Sequence, residues 1–551
     1  MDGINSLIKK HKIFPAIILG IIPILFLSIF YFYPLLGIFI KSFLSKGLFD
    51  FSGFSKVYNS HRIAKIIWFT FYQAGISSIL TMMVALPCAF VISNFEFKGK
   101  KLIMIIATIP FVLPTIVVAA AFQALLGNNG LINSINIENS LYLIFFAHVF
   151  YNFSVVLRIT SSFWSYIQRE ITEAGYMLCA TPFQVFYKIT LPLLRPALSA
   201  CFILVFIFCF SSFGVVLILG GPGFSTIEVE IYRQAAHVFN LSVASVLSLI
   251  QIVFTFIMMC LYTHFQKKAV KFLPGSQLVF LKKPTSFPEK LMIWSCIIFI
   301  LIFCFSPIIA LIIKSLLFKN TFSLVFYKEL FINARNSIFY IPPKAFITNS
   351  LIYGVITLVS AIILGVCAGF FVKSLKGKIG GVFDPLFMLP ISTSAVTLGF
   401  GIIITLDKPP LNLRTSLILV PIAHTLVAFP FVLRSIMPAL ISIPNSLKNA
   451  ASLLGASPFI SWLCVDLPII KRSLTVGALF AFTISLGEFG ATLFTANPEF
   501  STMPIAIYKF LSQPGIMNYG QAMAVSSILM LVTGCGFFII ENIRNIGHEG
   551  F

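Results

Sequence analysis

The sequence predicts an all-α polytopic membrane protein of twelve transmembrane helices, arranged as two parallel six-helix repeats. Three observations predict it. Of 551 residues, 58% are hydrophobic and 10% charged, with a mean hydropathy of +1.00, a balance that leaves too little polar surface for a soluble domain. Apolar runs of about 18 residues or more recur along the chain, the length a helix needs to cross a bilayer core. Polar and special residues also return at one fixed offset between the two halves.

In chain order, the cluster Lys9-Lys10-His11-Lys12 precedes an apolar run from Ile13 to Ile40. That run is too long for a signal-peptide core and no small-residue cleavage site follows, so it reads as an uncleaved first span. Further spans are expected at Ile66–Ser93, Leu102–Leu126, Leu141–Leu157, Leu198–Leu219 and Leu241–Tyr262. The second half repeats the pattern at Leu291–Leu316, Phe346–Val372, Val382–Leu406, Thr415–Leu433, Leu474–Phe494 and Tyr519–Ile540. The expected domains are residues 1–262 and 291–551, each a six-helix half, joined by a basic cytoplasmic linker over 263–290.

The net charge of +21 comes from short basic clusters between spans. Topology explains such clusters better than nucleic-acid binding does, and no nucleic-acid partner is expected. Placing Lys98/Lys100/Lys101, Lys267/Lys268/Lys271, Lys282/Lys283 and Lys373/Lys376/Lys378 inside leaves about 24 of the 38 Lys+Arg on the cytoplasmic side. Both termini are then cytoplasmic, in a bacterial inner membrane. The outer loop 317–345, with Lys319, Lys328, Arg335 and Lys344, runs against the rule. Ten scattered Cys form no Cys-x-x-Cys pair and read as packing residues, with no metal site.

The repeat has an offset of 276 positions (450 less 174). At that offset Pro114 matches Pro390, His148 matches His424, Arg158 matches Arg434, Phe213-Gly214 matches Phe489-Gly490, and Tyr232 matches Tyr508. Chance identity between apolar helices favours Leu, Ile and Phe, whereas Pro, His, Arg and Gly recur here. Because six is even, both halves have the same orientation. The histidines read as core residues and the arginines as interface anchors.

Two polar loops, 170–198 and 446–474, stand out within the repeat. The first carries Glu173-Ala174-Gly175, Cys179, Pro182-Phe183 and Ile189-Thr190-Leu191-Pro192. The second carries Asn449-Ala450-Ala451, Gly455, Pro458-Phe459 and Val465-Asp466-Leu467-Pro468. Each opens as a short helix that stops before its proline. Small residues admit a close neighbour and the phenylalanine offers an anchor, so a matched pair suggests docking levers for another protein.

The spacing Glu-Ala-Ala, three residues, Gly, nine residues, Ile-x-Leu-Pro resembles the signature of permease subunits in binding-protein-dependent ABC importers. The likeness covers nearly the whole chain and fits the fused kind, with both halves in one polypeptide and the type I importer fold. It implies that each loop is a coupling helix docked into one of two cytoplasmic ATPase subunits, and that an extracytoplasmic solute-binding protein delivers cargo. The sequence departs from the pattern at Cys179, Gly175 and Asn449, so the two sockets need not be equally tight. No G-x-x-x-x-G-K-[ST] loop is present. The chain is expected to hold no cofactor, ATP-Mg being bound by the partner, and to be no enzyme.

For the translocation pathway, Ser212, Phe213 and Gly214 match Glu488, Phe489 and Gly490 in the fifth helices. Glu488 is the one carboxylate well inside an expected span, and such groups face a cavity or a partner. Close helix packing explains the Phe-Gly pairs equally well. Two outer segments, Gly220 to Tyr232 and Asn497 to Tyr508, are candidates for receiving the binding protein.

The run Gly220-Gly221-Pro222-Gly223, Thr226-Ile227-Glu228, Ile231-Tyr232 with Leu249-Ile250-Gln251 resembles fused thiamine permeases. This resemblance implies thiamine or its phosphates as cargo, with ferric-iron permeases as the alternative. Ferric iron would want carboxylates or Tyr in its path, and the spans offer Glu488 alone. A gradient-driven secondary transporter is the rival from another class. It would want more midplane charges than this sequence has and has no use for paired docking loops.

Overall fold

The computed structural model describes the chain apart from residues 1–18, 46–47, 133–139, 166, 168, 272–280, 320, 333–341, 376–379, 408, 410 and 546–551. The N-terminal basic cluster, both chain ends, Lys376, Lys378 and Arg335 lie outside the described residues. Among the described residues ten helices are long and apolar enough to span: α1 Leu19–Phe43, α2 His61–Asn94, α4 Leu141–Ser165, α5 Pro182–Phe210, α6 Leu241–Ala269, α7 Phe287–Leu316, α8 Lys344–Ser374, α10 Leu419–Ser442, α11 Pro458–Gly487 and α12 Ile516–Ile543. Two more, α3 and α9, are bent pairs: Lys100–Val112 with Thr115–Leu126 at 100°, and Val382–Ser392 with Ala395–Leu406 at 94°.

The bends differ from the straight spans expected, and local chemistry explains them. Pro114 lacks an N–H and disfavours helix at Leu113, so the ladder stops and restarts with Pro114 in an extended conformation. In α9 the restart falls at Ser394, whose hydroxyl caps the Thr397 N–H at 3.4 Å. Pro390 stays inside the first limb, so the structural partner of Pro114 is Ser394, one turn beyond its sequence match.

The fifth helix of each half is broken too. α5 ends at Phe210 and a short helix resumes over Gly214–Leu219. α11 ends at Gly487 and resumes over Gly490–Thr495. Each half then turns through a short buried helix, Ile227–Ala236 or Met503–Leu511, before its last span. Two-stranded antiparallel ribbons, Leu44–Ser45 with Leu48–Phe49 and Leu317–Phe318 with Thr321–Phe322, follow the first span of each half.

The two halves of the sequence are not two separate cores. Helix α1 leans on the inner limb of α9: Gly37 faces Thr405, and a Cβ on Gly401 would meet Pro34 and Ile38 at 3.1–3.2 Å. Tyr31 Oη lies 2.7 Å from Thr393 Oγ1. Reciprocally, Phe303 of α7 meets Phe150 and Phe153 of α4 at 5.7 and 5.3 Å. Leu27 and Tyr31 are buried within the core of the second half. First spans are thus exchanged between the repeats, which position and spacing in the sequence do not reveal. Helix α6 runs on to Lys271, past Tyr262 where the linker was expected to begin, and Lys282 then pairs with the chain after α2 through Glu96 N–H to Lys282 C=O, 3.0 Å.

Candidate functional site

The two loops fold alike down to single hydrogen bonds. The short helices Arg169–Met177 and Asn445–Leu453 each end in a reversal closed by the same three bonds. Leu178, Cys179 and Ala180 donate to Ala174, Tyr176 and Gly175; Leu454, Gly455 and Ala456 donate to Ala450, Ser452 and Ala451. That reversal needs a left-handed residue, supplied by Gly455 at φ 80° and by Cys179 at φ 59°. A side chain there costs about 1–2 kcal/mol, and nothing lies within 4 Å of a Cβ on Gly455, so glycine is favoured there by conformation and not by packing.

Beyond the reversal, Thr181 and Ser457 cap helices that open with Pro182 and Pro458. Both pass through a π turn, Phe186–Thr190 and Trp462–Asp466, into the fifth helix. The widened turn accommodates the missing N–H of Pro192 and Pro468.

The exposed faces match as well. Phe183 and Phe459 are 74% and 68% exposed, and each stacks on a neighbouring ring, Tyr187 or Trp462. Met177, Leu178, Leu453 and Leu454 are 84–89% exposed. Sequence reasoning passed over these four, although the 276-residue offset pairs them. Large apolar side chains held in the open at equivalent places mark a surface built for contact.

Ala174, Ala450, Glu173 and Asn449 lie on the exposed surface, whereas Gly175 is buried and its Cβ would meet Ile189 at 2.7 Å. Gly175 is small in order to pack within its own loop, a correction to the idea that it admits a partner. The second loop carries an ion pair the first lacks, Lys448 to the buried Asp466 at 2.8 Å, where the first has Thr172 and Thr190.

At the centre, the breaks of the fifth helices meet. The Phe213 and Phe489 rings stack at 5.4 Å across the two halves. Tyr232 meets Phe213 at 5.8 Å, and Tyr508 meets Phe489 at 5.7 Å. A Cβ on Gly214 would meet Thr115 Oγ1 at 2.8 Å and one on Gly490 would meet Val396 at 3.0 Å, so both glycines let a broken helix seat against a bent one. Each histidine bridges two helices. His148 contacts Ser77 and Ser212 at 3.0 and 2.8 Å, and His424 contacts Ser485 and Thr492 at 2.7 Å each. Arg158 donates to Thr108 at 2.8 Å, and Arg434 approaches Asp384, 276 positions after Thr108, at 4.0 Å.

Glu488 is buried, but its oxygens are committed. They accept the Ala491 and Thr492 N–H groups at 3.0 and 2.9 Å and the Thr492 hydroxyl at 2.6 Å. It therefore caps the restarted helix, where the dipole favours a carboxylate.

Two further buried carboxylates sit just outside the spans, in helix Ile227–Ala236. Glu230 pairs with Arg233 at 2.9 Å and Arg62 at 3.4 Å. Glu228 is 2% exposed and accepts the Gln251 amide at 2.6 Å. Burial pushes its carboxyl up to about 8, against hydrogen bonds from Ser394 and Gln251, with Glu488 adding to the rise. Both carboxylates lie outside the expected spans, so they add to Glu488 without changing the count made within the spans. The outer segments fold partly inward: Ile227, Ile231, Met503 and Ile507 are buried, while Pro222, Gly223 and Glu499 stay exposed.

Residues 77–271 match the family described as binding-protein-dependent transport system inner membrane component. Relatives align along most of the chain. The thiamine transport system permease protein ThiP of Haemophilus influenzae is 25% identical over 490 residues, 87% of this chain and 88% of that protein. Its Escherichia coli counterpart is 23% identical over 498 residues, 87% and 89% of the two chains. That of Brucella abortus (strain 2308) is 24% identical over 479 residues, 84% and 85%. Residues 77–271 thus carry the inner membrane component of binding-protein-dependent transport, and the multi-pass chain as a whole resembles these permeases along most of its length.

Proposed function

We propose that this permease imports thiamine or its phosphates, driven by two ATPase subunits seated on loops 170–198 and 446–474. The observation that carries the docking is the pair of identical reversals that hold matched apolar side chains in the open. Those loops and both termini face the cytoplasm, and the binding protein approaches from the other side. ATP-Mg, bound by the partners, draws them together. Because each short helix continues through a π turn into α5 or α11, motion at the loops reaches the breaks at Ser212-Phe213-Gly214 and Glu488-Phe489-Gly490. Parting the Phe213–Phe489 stack opens the path between the halves.

The thiamine reading is supported by relatives so named along the length of the chain. Ferric iron is the second reading, favoured by the hard oxygen donors of Glu228, Tyr232 and Tyr508 near the path.

Reconstitution tests both. Vesicles holding the permease, its ATPase and its binding protein should accumulate labelled thiamine only with ATP. Uptake of ferric iron in its place would overturn the substrate, and uptake with no ATPase present would overturn the drive. Gly455→Asp should abolish uptake while the chain still inserts, because it would place a charged side chain on the open, apolar face of the second loop where the ATPase is to seat.

A further inference from the structure

Glu228 stands at a junction of the two halves. It lies in the short helix after the first half's broken α5, and Ser394, at the bend of α9 in the second half, is within hydrogen-bonding reach. No basic side chain pairs with it among the described residues, whereas Glu230, two positions on, holds two arginines. A buried carboxylate without a cation is expensive to keep, so burial favours its protonated form until a cation arrives to take the proton's place.

Gln251 gives a second, independent sign. It is 1% exposed, its Nε2 donates to Glu228, and its Oε1 has no hydrogen-bond partner. Ser248 and Thr255 lie on the same face of α6, three and four residues away, and their hydroxyls are likewise buried and unpartnered. Buried polar atoms are nearly always satisfied, so this unmatched row implies a polar occupant in another state of the cycle. Tyr232, one turn along from Glu228, brings a ring already packed on Phe213 and Phe494.

We propose that Glu228, the Gln251 amide and the Tyr232 ring form a recognition site for an organic cation bearing a flat heteroaromatic ring, entered when the halves part. The site rests on the importer reading and specifies its substrate class. The cargo's positive charge supplies the counter-ion the carboxylate lacks, the ring face of Tyr232 takes the cation's flat side, and the free amide oxygen accepts an N–H or O–H. Broken helices of a transporter are where such sites form, and Glu228 follows the break of α5. The site is one-sided, since position 504, the repeat partner of Glu228, is a proline and position 527, that of Gln251, is Ser527.

The test uses the complete transporter in vesicles, with tritiated thiamine as probe. Wild-type uptake is a control on the importer reading: if it fails, the substrate proposed above falls. Given wild-type uptake, Glu228→Gln should slow transport about tenfold and Glu228→Asp should stay within about threefold. Glu228→Gln at the wild-type rate, or Glu228→Asp falling as far as Glu228→Gln, overturns the site alone. Should either variant fail to assemble, Ser248→Cys decides. A cationic methanethiosulfonate should label residue 248 during ATP turnover, read by mass spectrometry of that peptide, and thiamine-loaded binding protein should suppress the labelling. An unlabelled residue 248, or labelling indifferent to thiamine, overturns it.

Discussion

Cys179 holds a left-handed backbone at φ 59°, a conformation that suits the glycine found at the equivalent position 455. The reversal it serves is fixed by three hydrogen bonds, so the strain is borne locally. Cys179→Gly should relieve about 1–2 kcal/mol of it, read as slower hydrogen exchange at Leu178 and Ala180 with uptake retained. Gly175 shows the opposite use of a small residue. A methyl there would press on Ile189, and Gly175→Val should displace the short helix and lower uptake. The sequence marks both positions as departures from a pattern. Only the fold tells a demand of conformation from one of packing, because the first depends on φ and the second on what lies opposite.

At the scale of elements, proline and glycine signals foretold where helices are disturbed but not what the disturbance builds. The third and fifth helices of each half read as uninterrupted apolar runs, since hydropathy registers length and not direction. In the fold their breaks converge, so that Phe213 and Phe489 stack across the halves. Phe213→Ala should raise the ATP-independent leak of thiamine into vesicles holding the permease alone. The loops were legible as a pair through their shared offset, yet their apolar tips were not singled out. Leu178→Ser with Leu454→Ser should weaken ATPase binding about tenfold, measured by titrating the ATPase onto permease in detergent, because these side chains are held out with nothing of their own chain to cover them.

For the whole molecule, exchange of the first spans makes each repeat depend on the other. Tyr31 and Gly37 of α1 seat on Thr393 and Thr405 of α9, and Phe303 of α7 seats on α4. Residues 1–262 and 291–551 expressed apart should therefore be degraded, and expressed together should assemble. Recovery of either half as a stable, monodisperse membrane protein on its own would count against that dependence.

The sequence by itself determined the class, the helix count to within the two bends, the repeat and the place of the paired loops. Each of these follows from quantities local to the chain: apolar length, proline and glycine position, and one offset. The tertiary structure alone decided that Glu488 is committed to capping a helix while Glu228 lacks a counter-ion, and that the first spans cross over. A carboxylate's role depends on which donors the fold turns toward it: Glu488 takes donors three and four positions on because its helix breaks and restarts there, whereas Glu228 draws on Gln251 of the next span and on Ser394 of the other half.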